Sequence, residues 1–339
     1  MKAVTYIKPN VVEVIDTDIP ELSDGQALIK VHKAGICGTD VAIVAGKHPR
    51  AKGPLVLGHE FAGEIVKIKS AKAEANLKTG DKVTVYPLLS CGQCWACRNG
   101  HSHVCRNLRM IGIDQNGGMA EYAKMPLDLI VRLPETLTYE QGALVEPLAV
   151  GVHAVTMAAA DRSETCVVMG AGPIGLLVGL CLKSIPVRKI IVTDINRERL
   201  QIASHLGLEV YNTQDCNVTE KILEATNGEG ADALFECAGS ESSAMQMCEL
   251  VRPRGKILMV AVHKEQHKVD LRALNFKEIT MSGVRVYTRQ NYEQAIRMAE
   301  KLPVPELVSD RVGIDGAPDA LNKVKKGQAV GKVIIKTGR

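Results

Sequence analysis

Aromatic residues, long apolar runs and an excess of one charge are all scarce in this chain of 339 residues. Aromatics make up 3% of the sequence, so the core must be aliphatic, and the aromatic rows typical of single-stranded nucleic-acid binding are missing. The 42 basic and 38 acidic residues leave a net charge of +4, which supports neither a nucleic-acid nor a membrane partner. No apolar stretch approaches the roughly 18 residues that a membrane span requires.

Cysteine, by contrast, is plentiful, with ten residues. The first residues lack the apolar core and small-residue cleavage site of a secretion signal, so we expect a cytoplasmic protein. In a reducing compartment cysteines serve as metal ligands or core thiols more often than as disulfides. The length corresponds to about two domains.

The chain has two contrasting halves. Short β-like runs broken by Gly and Pro predict a small irregular β domain at the amino-terminal end, with strands at 27–31, 63–68, 82–86 and 121–125. Farther along, strands alternate with helices, which predicts βαβ units and a doubly wound parallel sheet. We expect these strands at 165–169, 189–193, 231–235 and 256–262, and helices at 176–182, 197–206 and 242–251. A continuous helix at 141–160 crosses the boundary, and a helix at 292–301 and a strand at 332–336 close the chain.

A glycine-rich loop follows the first strand of the parallel sheet. Gly170, Gly172 and Gly175 fit the pattern G-x-G-x-x-G between an apolar strand and an apolar helix. The glycines permit a tight turn and close approach of a pyrophosphate to the helix N-terminus. The alternative is a tight strand–helix turn that binds no ligand.

Asp194 ends the next predicted strand, 19 residues after Gly175. A carboxylate there accepts hydrogen bonds from the ribose hydroxyls and repels a 2′-phosphate, which favours NAD over NADP. Arg197 and Arg199 lie nearby, however, and arginines can bind a 2′-phosphate.

Four cysteines lie within 15 residues in the spacing C-x2-C-x2-C-x7-C: Cys91, Cys94, Cys97 and Cys105. This pattern predicts a closed tetrahedral zinc site that stabilises the structure and performs no chemistry. An iron–sulfur cluster, or free or disulfide-bonded cysteines, are the alternatives. His101 and His103 lie in the same loop, and we expect both to face solvent.

Three further segments, GICGTD, GHE and VEP, contain Cys37, His59, Glu60 and Glu146. Taken singly, each residue has an ordinary explanation as a core or surface side chain. Together they offer sulfur, nitrogen and oxygen donors for a catalytic zinc with one replaceable position.

The ordered set GICGTD, GHE, CGQCWACRNGHSHVC, EP, GAGPIG and VTD resembles the zinc-dependent medium-chain alcohol dehydrogenases over essentially the whole chain. The glutamate in ALVEPLAVGVHA is similar to the polyol, sugar-acid and threonine dehydrogenases of that family. The resemblance implies a GroES-like domain formed by 1–145 and 287–339, with a zinc lobe at about 88–107. It also implies a Rossmann NAD-binding domain at 146–286 and two zinc ions per chain.

Within this resemblance, Cys37 and His59 are zinc ligands, and either Glu60 or Glu146 completes the set. Asp40 orients the imidazole of His59. Thr39 hydrogen-bonds the alcohol and starts a proton relay. Many relatives have a histidine three residues after this threonine, but this chain has Ala42, so we expect His48 or water to replace it.

The expected coenzyme contacts are Gly170, Gly172, Pro173, Ile174, Gly175, Asp194, Arg199, Cys237 and Val260. Arg285, in the segment GVRVYT followed by Tyr292, is similar to its counterpart in hexonate dehydrogenases and is expected to bind a substrate carboxylate, a cofactor phosphate or neither. Arg50 is a second candidate for a charged substrate.

The predicted reaction is NAD-linked oxidation of a secondary alcohol to a ketone, on a sugar acid such as galactonate or gulonate, or on a polyol. L-Threonine and 2,3-butanediol are alternative substrates. A non-catalytic NADH-binding regulator is the alternative of a different class, and a zinc-independent quinone reductase would need neither metal set. The family resemblance also implies a homodimer or homotetramer, assembled through the edges of the nucleotide-domain sheets.

Overall fold

The computed structural model describes residues 1–70, 77–162 and 164–338. They form two compact units, one comprising Met1–Glu146 with Thr288–Arg339 and the other comprising Pro147–Tyr287. Within the described residues, no helix is both long enough and apolar enough to cross a membrane.

The amino-terminal part of the chain is mostly strand. Its elements are β1 (Lys2–Lys8), β2 (Val11–Asp16), β3 (Gln26–Gly35), α1 (Gly38–Val44), β4 (Leu55–Val56), β5 (Glu60–Lys69), β6 (Lys82–Val85), β7 (Leu88–Leu89), α2 (Trp95–Arg98), β8 (Arg109–Met110), β9 (Tyr122–Pro126), β10 (Ile130–Arg132) and α3 (Tyr139–Ala158). The four strands predicted in this region overlap β3, β5, β6 and β9. The helix predicted across the boundary is α3, which is continuous through Pro147.

The second unit alternates strands and helices, as the sequence predicts. Its further elements are β11 (Thr165–Met169), α4 (Pro173–Lys183), β12 (Lys189–Asp194), α5 (Arg197–His205), β13 (Glu209–Asn212), α6 (Val218–Ala225), β14 (Ala231–Glu236), α7 (Glu241–Leu250), β15 (Val251–Met259), α8 (Leu271–Phe276) and β16 (Thr280–Gly283). The chain then returns to the first unit with α9 (Arg289–Ala299), β17 (Val308–Gly313), α10 (Ala317–Lys325) and β18 (Lys332–Lys336).

The sheet of the second unit has the strand order β13-β12-β11-β14-β15-β16, and every pair is parallel. This is the doubly wound order in which the chain reverses direction beside the first strand, and dinucleotides bind at that reversal. Every residue of β11 is buried, as expected for a strand covered on both faces. The predicted α/β fold class is therefore confirmed.

In the first unit, the largest sheet has the order β10-β6-β5-β3-β18-β17, with β9 also paired to β3. Strands β5 and β18 both pair with β3 near its end, so that Glu60 and Ile334 are the register partners of Gly35. This register brings the ends of three strands together just before Cys37.

The strand predicted at 256–262 is wrong at both ends, because β15 begins at Val251 and stops at Met259. It stops because the N–H groups of Val260 and Ala261 both donate to the carbonyl of Glu236, at 2.9 Å each. The chain therefore turns at the end of the strand.

Candidate metal and coenzyme sites

Cys37 stands at the start of α1, where its backbone is extended. Its N–H donates to Oδ2 of Asp40 at 2.8 Å, so a carboxylate one turn into the helix fixes the residue that precedes it. Thr39 lies in the same turn, with its Oγ1 3.7 Å from the Cys37 sulfur. The helix start thus holds a thiol and a hydroxyl side by side.

His59 and Glu60 approach Cys37 from the beginning of β5. One ligand atom from each of Cys37, His59 and Glu60 lies within 4.8 Å of the others. His59 is 2% exposed and Glu60 is 1% exposed. Nδ1 of His59 lies 3.8 Å from Oδ1 of Asp40, too far for a hydrogen bond, and neither of these buried atoms has a hydrogen-bond partner.

The charges around His59 favour the positively charged form of its imidazole. Burial alone would lower the pKa of His59, but the Cys37 sulfur, Asp40 and Glu146 raise it well above its usual value. Burial raises the pKa of Asp40, despite the opposing influence of His59. Four acidic side chains converge on this buried site: Cys37, Asp40, Glu60 and Glu146. Because they gather negative charge there, and because Nδ1 of His59 and Oδ1 of Asp40 lack hydrogen-bond partners, the residues fit a zinc ion.

The two candidate carboxylates differ in position. Glu60 belongs to the compact donor set with Cys37 and His59, whereas the set formed by the described residues does not include Glu146. Glu146 is 5% exposed and close enough to influence His59 electrostatically. This geometry places Glu60 nearer than Glu146 to the other donors.

Lys332, at the start of β18, is a site residue that sequence reasoning missed. Its Nζ lies 2.5 Å from the Glu60 carboxylate, and its side chain is 5% exposed. Burial alone would lower the pKa of Lys332, but Glu60, Cys37 and Glu146 raise it, so the lysine is a cation that neutralises part of the site. The sequence offered only a lysine flanking an apolar strand, which ordinarily indicates an exposed strand end.

The four clustered cysteines have the dimensions of a zinc tetrahedron. Their sulfurs lie within 4.8 Å of one another, with separations of 4.0 Å (Cys91–Cys97), 3.5 Å (Cys94–Cys97) and 3.8 Å (Cys94–Cys105). A tetrahedral ion with Zn–S bonds of about 2.3 Å requires sulfurs about 3.8 Å apart. No disulfide forms among them.

Backbone N–H groups surround these sulfurs, and at Cys94 they favour the ionised form. The N–H groups of Cys97 and Arg106 lower the pKa of Cys94 to about 6. The N–H groups of Cys91 and Asn107 each lie 3.3 Å from the sulfur of Cys105. Several thiolates this close repel one another unless a cation lies between them, so the loop fits a structural zinc ion.

The two histidines of this loop differ. His101 is exposed, as predicted, but His103 is buried, with 9% of its surface exposed, so the prediction for His103 was wrong. His103 lies in a short 3-10 helix, Ser102–Val104, which turns its ring inward.

The glycine-rich loop of the second unit has the geometry that a pyrophosphate needs. Gly170 has φ of +100°, and a Cβ there would lie 2.9 Å from the backbone nitrogen of Ala238. A Cβ on Gly175 would overlap the carbonyl of Gly170. Gly172 is the N-cap of α4 and Pro173 its first residue, so the helix N-terminus opens directly onto the loop.

Asp194 ties this loop to the end of β12. Its Oδ2 accepts the N–H of Ala171 at 2.7 Å, and its Oδ1 accepts the N–H of Asn196 at 2.8 Å. Each oxygen can still accept a ribose hydroxyl. Arg197, the first residue of α5, pairs with Asp215 at 2.6 Å, and the N–H of Arg199 donates to Oδ1 of Asn196, the N-cap of the helix. Cys237 and Val260 follow β14 and β15 at the same edge of the sheet.

The residues predicted to bind the substrate or to pass on its proton come from separate segments of the chain. Arg285 is exposed in the segment after β16. Arg50 is held by the carbonyl of Leu108 and by Asp114, 3.2 Å away. Nδ1 of His48 accepts backbone N–H groups of its own loop.

Tyr292 is a core residue. It is fully buried in α9, and its hydroxyl bonds Thr84 at 2.9 Å and the carbonyl of Val85 at 2.8 Å. It therefore stabilises the first unit.

Comparison with known families supports both halves of this description. The family model described as "Alcohol dehydrogenase GroES-like domain" matches residues 23–135, and "Zinc-binding dehydrogenase" matches residues 173–301.

Full-length relatives agree with these matches. The chain is 33% identical to the L-threonine 3-dehydrogenase of Chelativorans sp., over 94% of this chain and 93% of the relative. It is 31% identical to the 2-dehydro-3-deoxy-L-galactonate 5-dehydrogenase of Pseudoalteromonas atlantica, over 95% and 97%. A crystal structure of an alcohol dehydrogenase from Escherichia coli CFT073, complexed with NADH, superposes with a TM-score of 0.91, 28% identity and 99% coverage of both chains.

Proposed function

Because the chain belongs to the zinc-dependent medium-chain alcohol dehydrogenases, and is an oxidoreductase that uses zinc and NAD, we propose that it oxidises a secondary hydroxyl of a sugar acid to a ketone. Neutral polyols are the related substrates. The observation that carries the choice of an acid is a basic groove beside the segment that contains His59.

This groove, of about 460 Å³, is lined by Arg50, Lys52 and Arg109, with Asp114 as its one acidic residue. Arg50 is paired with Asp114, so Lys52 and Arg109 are two further cations in the groove for which the described residues supply no second acidic group there. Cationic side chains that line a groove favour a carboxylate or phosphate over a neutral polyol.

The groove is built by the chain segments that precede His59. The N–H of Gly117 donates to the carbonyl of Val56 at 2.8 Å, and the N–H of Met119 to the carbonyl of Leu57 at 2.9 Å. These bonds join the loop that follows Arg109 to the residues leading into His59. The groove therefore adjoins the chain segment that leads to His59, and we propose that it receives the acidic end of the substrate. Arg285 remains our proposal for a second contact with the carboxylate.

In this mechanism Cys37 and His59, with Glu60 or Glu146, would hold the catalytic zinc. The four cysteines of the loop at 91–105 would hold the structural one. When bound, catalytic zinc lowers the pKa of a substrate hydroxyl and NAD accepts the hydride. Thr39 accepts the hydroxyl proton. Asp40 fixes the start of its helix through the N–H of Cys37 and faces the imidazole of His59. Since Ala42 offers no acceptor, His48 or water takes the proton onward.

The test is a substrate panel, with NAD and NADP as acceptors and absorbance of the reduced coenzyme as the readout. It compares galactonate, gulonate, neutral polyols, L-threonine and 2,3-butanediol. We expect the best aldonate to exceed the best neutral polyol in kcat/KM by about tenfold, the effect of one charged contact. The variant Arg109→Ser should lose this preference, whereas Lys67→Ser, the same loss of charge on β5, should keep it. Equal rates for acids and neutral polyols would contradict the proposal.

L-Threonine is the second candidate, because a threonine dehydrogenase is among the relatives and threonine also carries a carboxylate. The same panel separates the two, since threonine would then exceed every aldonate. A non-catalytic NADH binder would turn over none of these substrates.

We also propose that the chain forms a homodimer or homotetramer through the edge strand β16. In the described structure β16 pairs only with β15, and the neighbouring α8 exposes Leu271 and Phe276, 69% and 78% of whose surfaces are accessible. Phe276→Glu should then lower the mass measured by light scattering. We place the protein in the cytoplasm, where the four thiols of the zinc loop stay reduced.

A further inference from the structure

Glu236 is the last residue of β14, and its side chain is fully buried. Its Oε1 accepts the N–H groups of Ala238 at 3.0 Å and Gly239 at 2.8 Å, and the hydroxyl of Ser243 at 2.7 Å. One carboxylate oxygen therefore fixes the loop that follows β14 and the start of α7.

The second oxygen fixes a different loop. Oε2 of Glu236 lies 2.9 Å from Nε2 of His263, whose side chain is 18% exposed. His263 follows β15, and the ring of His267 packs edge-on against it at 5.1 Å. Among residues 262–268, all of which the structure describes, His263 makes the only hydrogen bond or ion pair.

Both loops lie where a dinucleotide crosses the sheet. Asp194 is on β12, on one side of β11, where its carboxylate is positioned to bind the adenosine ribose. Because β14 and β15 lie on the other side of β11, the nicotinamide half of the coenzyme extends over these two strands. The loop after β14 also touches the glycine-rich turn, since a Cβ on Gly170 would lie 2.9 Å from the nitrogen of Ala238.

We propose that Glu236 and His263 form a clasp that holds residues 260–268 in the conformation that binds the nicotinamide half of the coenzyme. His263 is thus a positioning residue that acts through the backbone of its loop. The inference rests on the coenzyme site described above, and it is independent of the substrate.

The test measures dissociation constants of NADH and of ADP-ribose, which lacks the nicotinamide, for the full-length zinc-loaded protein. In His263→Ala we expect NADH to bind about tenfold more weakly, the loss of one hydrogen bond to a charged group, while ADP-ribose binding changes by less than about twofold. Binding of ADP-ribose also reports that the domain is folded.

Two further variants separate positioning from general packing. His263→Gln keeps an N–H donor at a similar distance and should recover most of the NADH affinity. His267→Ala, in the same loop, removes a ring that makes no hydrogen bond in the described structure, and should bind both ligands like the parent protein.

The proposed role of the clasp would be refuted if His263→Ala bound NADH as tightly as the parent protein, or if its affinities for NADH and ADP-ribose fell equally. It would also be refuted if His263→Ala bound NADH no more weakly than His263→Gln. A parent protein that binds neither ligand would overturn the coenzyme assignment itself. If the substrate panel showed no preference for aldonates but NADH bound normally, only the proposed substrate would be contradicted, and the role of the clasp would be unaffected.

Discussion

Replacing Lys332 with methionine should destabilise the zinc-free protein strongly. The side chains of Lys332 and Glu60 are 5% and 1% exposed, and the ammonium contacts the carboxylate at 2.5 Å. Methionine keeps most of the volume of the side chain, so the change mainly leaves a carboxylate buried without its cation. Removing one partner of a buried ion pair costs about 3–5 kcal/mol of unfolding free energy. At roughly 2–4 °C per kcal/mol, the melting temperature of this unit should fall by about 6–20 °C.

Urea denaturation of the zinc-free and zinc-loaded proteins is the assay. A zinc ion held by Cys37 and His59 would lie beside Glu60 and would supply positive charge there, so the loss in Lys332→Met should be smaller with zinc bound. The double variant Lys332→Met/Glu60→Gln should regain much of the stability, because no unpaired charge remains.

Lys336→Met is the matched control, since Lys336 lies on the same strand but is exposed. It should change the unfolding free energy by less than about 0.5 kcal/mol. If Lys332→Met changes stability as little as this control, or if the double variant is no more stable than the single one, the buried pair does not have the role assigned to it.

Three other predictions concern the metal site, the coenzyme site and pH. Cys37→Ser should abolish turnover but leave the NADH dissociation constant within about twofold, measured by fluorescence; retained turnover would contradict the metal assignment. Asp194→Ala should reduce the preference for NAD over NADP in kcat/KM, and weaken binding of both because the bond to Ala171 is lost; an unchanged ratio would count against the ribose contact. Burial alone would raise the pKa of Asp232, but hydrogen bonds from Thr165 and Arg252 lower it below 3.8. The ionised carboxylate therefore stabilises the folded protein above about pH 4, and this stabilisation is lost as the pH falls further. The difference in unfolding free energy between the parent and Asp232→Asn should therefore shrink from pH 5 to pH 3, and a constant difference would refute this.

Features built from one short segment could be predicted from the sequence. The four cysteines lie on a single loop, so their spacing alone predicts a tetrahedral site. The glycine-rich turn is likewise defined by its strand, its three glycines and its helix. In both cases neighbouring residues determine the geometry, and distant parts of the chain add little.

The other donor set depends on sheet register. Cys37 and His59 come together because β5 pairs with β3 in one register, and spacing in the sequence does not reveal that pairing. The residue types offered both as candidate donors, and the family resemblance was needed to assign them to one metal ion. Lys332 is 272 positions away from Glu60 and reaches it only because β18 lies on the other side of β3. No local signal distinguishes such a lysine from an exposed one.

Two buried carboxylates should restrict the movement of the loops at these sites. Asp40 and Glu236 are each 0% exposed, and burying a carboxylate costs several kcal/mol unless hydrogen bonds or cations compensate. Part of this cost is offset because each carboxylate accepts backbone N–H groups of the neighbouring loop: Cys37 for Asp40, and Ala238 with Gly239 for Glu236. Movement of either loop would break these bonds and leave a buried charge unsatisfied, so the loop and the carboxylate must move together or not at all. The cost of burying the charge is thus what keeps the metal donor and the coenzyme loop in place.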